Sequence, residues 1–82
     1  MLYIWKTQYI LIEERLYTPE LGVYRSFGIM AVRRVPHRRQ CGAYVRDIST
    51  NRAFTAKLAK RCNREGLSLI HFRDFITDAL GC

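Results

Sequence analysis

Eighty-two residues, 49% hydrophobic and with a net charge of +7, read as one small basic domain spanning residues 1–82. That apolar content excludes a disordered chain, and no apolar run approaches the ~20 residues that span a bilayer. A chain of this length buries only about 60–65% of its unfolded surface, so its stability margin is thin.

The first sixteen residues, MLYIWKTQYILIEERL, lack an early positive cluster and a small-residue cleavage site, and Lys6 interrupts their apolar run. They are read as neither signal peptide nor anchor, which predicts a cytoplasmic protein with no membrane partner. The run Tyr9–Ile12 is rich in β-formers and predicts a strand over residues 3–17. Pro19 and Gly22 then supply a turn. A second strand is predicted over 23–34, with Phe27, Ile29 and Ala31 on one side and Tyr24, Met30 and Val32 on the other. Gly28 marks a bulge or a close approach. The segment RRVPHRR, residues 33–39, is read as the connecting loop because Pro36 breaks a ladder. A third strand follows over 40–48, where Cys41, Gly42 and Ala43 are small enough to let a helix lie close.

Ser49, Thr50 and Asn51 are candidate N-caps of a helix running to Glu65, with Ile48 as its hydrophobic staple. Its apolar face is Phe54, Leu58, Ala59 and Cys62, and Gly66 is the expected left-handed stop. Ser68 caps a second helix whose stripe is Phe72, Phe75, Ile76, Ala79 and Leu80. The fold class is therefore α+β, a three-stranded antiparallel β-meander followed by two helices packed on one face, βββαα.

The second half resembles a bacterial family of small proteins, domain-of-unknown-function family 6514. The resemblance rests on Asp47, Ile48, Ser49, Thr50 and Arg52, then on Leu67, Ser68, Ile70, His71, Asp74, Ile76, Asp78 and Leu80. Asn51 stands where the family has Asp, Leu69 where it has Pro, and Phe72 and Phe75 where it has smaller aliphatics. The basic loop also departs from the short acidic or Gly-containing hairpin loop of the family. The resemblance implies no activity, because the family is itself uncharacterised.

Candidate sites are few. The cysteines, Cys41, Cys62 and Cys82, are odd in number and lack ligand spacing, which suits a reducing compartment and reads as two core residues and a terminal thiol. His37 and His71 complete no metal pattern, and His71 is read as packed or cap-bonded. No nucleophile, base and orienting group converge, so neither catalysis nor a cofactor nor a small-molecule substrate is expected. Two basic groups could contact phosphates or an acidic partner: Arg33, Arg34, Arg38 and Arg39 around the hairpin turn, and Lys57, Lys60, Arg61 and Arg64 along the first helix. Because two helices cover one sheet face, the other should keep an apolar patch. The candidates for an oligomer or partner face are Trp5, Tyr9, Leu11, Phe27, Ile29 and Tyr44, unless residues 1–5 fold over it. These features predict a non-catalytic protein-interaction or regulatory domain, with a homodimer as the simplest remedy for the patch. The alternative is a non-specific electrostatic nucleic-acid binder.

Overall fold

The computed structural model describes residues 7–35 and 38–81, the side chains of residues 34, 35 and 38–40 excepted. Trp5, and any fold of residues 1–5 over the sheet, lie outside the described residues, as do His37 and Cys82. Strands β1 (Thr7–Thr18), β2 (Gly22–Val35) and β3 (Arg38–Ser49) form one antiparallel sheet in the order β1-β2-β3. Helix α1 (Arg52–Glu65), a 3-10 turn (Leu69–His71) and helix α2 (Phe72–Ala79) follow, giving the expected βββαα order.

The β1–β2 ladder runs without a break from Thr7↔Arg33 to Thr18↔Gly22. Gly22 has φ +69, the left-handed conformation that closes the turn after Pro19. The second hairpin is tighter than the sequence suggests. Val35 pairs with Arg38, so most of the RRVPHRR segment belongs to strands and only residues 36 and 37 connect them. Arginine has no backbone reason to leave a ladder; only Pro36 does.

The β2–β3 ladder is irregular twice. One irregularity lies between Ala31 and Val32, where Gly42 is the extra residue on β3. A Cβ on Gly42 would press on Leu69, so the small residue admits the 3-10 turn rather than a helix. The other lies between Phe27↔Ser49 and Ile29↔Val45, where Arg46, Asp47 and Ile48 face the single Gly28. A Cβ on Gly28 would collide with the Val45 carbonyl oxygen and crowd the Tyr44 ring, so both expectations for this glycine hold. Asp47 takes φ 51 there, a conformation Asp tolerates, and its carboxylate accepts from the Ser26 hydroxyl. Ile48 is thereby turned into the core instead of stapling α1.

Asn51 is the N-cap of α1: its side-chain oxygen accepts from the Phe54 N–H at 3.1 Å. Gly66 ends the helix with φ 60, its N–H donating to the Asn63 carbonyl. The buried stripe is Thr55, Leu58, Ala59 and Cys62; Phe54 is 37% exposed. Thr55 is tolerated inside because its hydroxyl donates back to the Asn51 carbonyl at 3.1 Å. The second helix is shorter than its sequence stripe. Leu69–His71 is 3-10, Ser68 makes no side-chain cap, and Leu80 is exposed.

The core lies between one sheet face and the two helices. It unites Tyr9, Ile29 and Ala31 of the sheet and Ile48 with Leu58, Ala59, Cys62, Phe72 and Ile76, and the Tyr9 and Phe72 rings meet at 4.9 Å. Among the described residues no helix is long and apolar enough to cross a membrane.

Candidate interaction surface

The first strand pair is longer than the structure that covers it. Pairing with β3 stops at Phe27↔Ser49, so β2 has no third-strand partner between Gly22 and Ser26. Helix α1 starts just after that point and runs back toward Tyr9, where α2 also packs. Residues 15–25 are left as a two-stranded arm contributing nothing to the core cluster. Opposed Tyr17 and Val23 are 70% and 68% exposed, and Leu21 in the turn is 70% exposed. An isolated two-stranded ribbon is marginally stable in water, and clustered exposed apolar side chains mark contact sites. The molecule measures 54 × 28 × 19 Å.

The outer edge of β1 differs between its two ends. At Tyr9, helix α1 covers it. The Asn63 side chain accepts from the Tyr9 N–H and donates to the Tyr9 carbonyl, each at 2.8 Å, standing in for a neighbouring strand. The Tyr9 hydroxyl donates to the Leu67 carbonyl at 2.6 Å, satisfying the polar tip of a buried ring. Burial raises the pKa of this phenol. Beyond Tyr9 no other side chain from the helices hydrogen-bonds to the edge among the described residues.

On the sheet face away from the helices, Tyr44 lies across Gly28 to reach β1. Its hydroxyl donates to Glu14 at 2.7 Å, and the Arg46 guanidinium donates to both Glu14 oxygens at 3.0 and 2.9 Å. The Arg46 and Tyr44 hydrogen bonds hold the Glu14 carboxyl below its ordinary range. Burial and the Glu14 bond push the Tyr44 phenol up to about 12. The group ties β1 to β3 across β2. Around it, Ile10, Ile12 and Met30 are half-buried and Val32 is buried, so this face carries no fully exposed large apolar side chain among the described residues.

The expected partner face is therefore corrected. Tyr9, Phe27 and Ile29 are 2%, 5% and 0% exposed, inside the fold and out of reach of a partner. Leu11 pairs with Ile29, on the helix side by strand alternation, and is half-buried. Tyr44 is on the open face but is half-buried and engaged by Glu14.

Of the basic residues, Arg33, Lys57, Lys60, Arg61 and Arg64 are exposed. Arg34, Arg38 and Arg39 sit in paired strand positions beside the turn. Arg61 is partly engaged, 5.2 Å over the Phe75 ring and 3.5 Å from Glu65. Asn63 reaches Tyr9, which pairs with Ala31 two residues from Arg33, so the end of α1 and the base of the basic hairpin share one end of the sheet. An open depression nearby is lined by Arg33, Ser68, Leu69 and Ile70.

His71 is exposed, with its backbone N–H donating to the Ser68 carbonyl and no side-chain cap bond, so it is neither packed nor cap-bonded. Cys62 is buried and its thiol is pushed up to about 11 by burial, which makes it a poor nucleophile; Cys41 is exposed rather than in the core. Among the described residues no group of three or more His, Cys, Asp or Glu could hold a metal ion. No family model, curated protein or solved structure matches the chain.

The arm and its exposed apolar residues escape the sequence reading. The available signal was length: apolar β-formers continue through Leu16, Tyr17, Val23 and Tyr24, past anything a third strand of nine residues could cover.

Proposed function

We propose that this chain is a non-catalytic protein-interaction domain of the cytoplasm that binds a protein through its β1–β2 arm. One observation carries the reading: Tyr17, Leu21 and Val23 stand clustered and exposed on a ribbon that neither helix covers. Their burial against a partner would supply the third layer the arm lacks. A tagged pull-down from its own host tests this, comparing the wild-type chain with a Tyr17→Ser, Val23→Ser variant. Nuclease-resistant partners, or a second copy of the chain, should be lost in the variant. Partners captured equally by both forms would remove the arm from the account.

A second reading is non-specific nucleic-acid binding, favoured by the shared end of the basic hairpin and α1. With four to six phosphate contacts affinity would fall steeply with salt. A gel-shift series at two salt concentrations, with Arg38→Glu and Arg39→Glu, tests it. Tight binding at high salt or a strong sequence preference would refute it.

A further inference from the structure

We infer that the arm's partner is a second copy of this chain, joined edge to edge through antiparallel pairing of β1 with β1. This rests on the arm being an interaction surface and names its occupant. Because the Tyr9 N–H and carbonyl both bond to Asn63, they point away from β2. The backbone groups of one strand residue share a side, and the side alternates. The β1–β2 register has no irregularity, so Leu11, Glu13, Arg15 and Tyr17 also turn theirs outward. Among the described residues these groups find no hydrogen-bond partner. They form an open ladder from Ile10 to Thr18.

That ladder is complementary to itself in one register. Outward residues must face outward residues, which leaves only alternate offsets. Placing Glu13 opposite Arg15 of the second copy makes two opposite-charge pairs related by the two-fold axis. The same offset sets Leu11 against Tyr17 and Ile12 against Leu16, so the exposed Tyr17 gains an apolar neighbour. Shifting one allowed step either way sets Glu13 against itself or Arg15 against itself and leaves no opposite-charge pair to offset the repulsion. The ends of the ladder match as well. The next outward residue, Tyr9, would face Pro19, which has no N–H to give; Tyr9 is the position Asn63 already satisfies. The clasp and the proline thus end the pairing at the same step. At the axis Glu14 meets Glu14 of the second copy, each held by Arg46 and Tyr44 of its own chain.

Sedimentation velocity on the whole chain from micromolar to millimolar concentration reads the result, with denaturation curves checking that each variant folds. Wild type should shift from the 9.7 kDa monomer toward twice that mass. Glu13→Arg alone and Arg15→Glu alone each put like charges opposite one another and should weaken self-association by about tenfold or more. Mixing the two variants restores opposite charges at both pairs, so the mixture should associate where neither does alone. Arg15→Pro removes an outward N–H without touching the β2 ladder and should abolish the dimer. A wild-type chain that stays monomeric overturns the self-pairing and leaves the arm's capture of another protein to be read separately by pull-down. A dimer unchanged by the charge variants, or surviving Arg15→Pro, overturns the edge-to-edge arrangement.

Discussion

The two halves of the β1–β2 hairpin share one continuous register and have opposite surroundings. From Thr7 to Ile12, β1 is backed by two helices and clasped by Asn63, and the far face is tied by the Tyr44–Glu14–Arg46 group. From Arg15 to Thr18 the same strand pairs with β2 alone and contributes nothing to the core cluster. Pattern and propensity barely differ between them, since Tyr9 and Leu11 resemble Leu16 and Tyr17 in kind. The difference arises from where other elements end. β3 stops pairing at Phe27, and α1 leaves from there in the opposite direction. Burial along a strand is thus set by the reach of its neighbours as much as by its own residues.

The contrast should appear in stability. Phe72→Ala empties a fully enclosed site, against Tyr9, and should cost about 3–5 kcal/mol, enough to unfold so small a chain. A chemical denaturation midpoint within error of wild type would mean that α2 does not pack there. Gly28→Ala, which forces a Cβ into the Val45 carbonyl, should cost about 2 kcal/mol by the same measurement. Asn63→Ala removes both bonds to the Tyr9 edge and should cost roughly 1–2 kcal/mol. By contrast Tyr17→Ser and Val23→Ser should each change monomer stability by less than about 0.5 kcal/mol. A large loss at either would mean that the arm belongs to the core.

The Tyr44–Glu14–Arg46 group sharpens the comparison through pH. The folded Glu14 carboxyl lies below its ordinary 4.5, so its stabilisation is present above that value and lost as pH falls through the folded one. The Tyr44 phenol is raised from 10.0 to about 12, so its stabilisation is present below 10 and lost as pH rises toward 12. Thermal melts of Glu14→Gln should lose the acid-side decline, and Tyr44→Phe should flatten the alkaline one. Variants of the arm should leave both limbs as they are.

Much of the fold was legible in the residues. A run of β-formers, strand alternation and helical spacing predicted the element order, the cap options included Asn51, and Gly66 was the stop. What could not be read was relational. Alternation divides Tyr9, Leu11, Phe27 and Ile29 from Ile10, Ile12, Met30 and Val32 without saying which set the helices take. Phe54 outranks Thr55 on hydrophobicity, yet Thr55 is inside, because a hydroxyl that bonds back to Asn51 presents no unsatisfied group to the core. The arm's length could be read from the sequence, but its bareness could not, since that is a property of β3 and α1.

The Asn63 clasp also orders events in time. It joins residues 54 apart, and the Tyr9–Leu67 bond joins residues 58 apart, whereas the hairpins close over short loops. Closing the larger loop carries the greater entropy cost, so the sheet can assemble before the helices dock across it. Asn63→Ala should then accelerate unfolding while leaving the refolding rate nearly unchanged, a small φ-value that a chevron plot would measure. In native-state exchange, the Tyr9 amide would report the docking of α1 rather than the opening of the sheet that contains it.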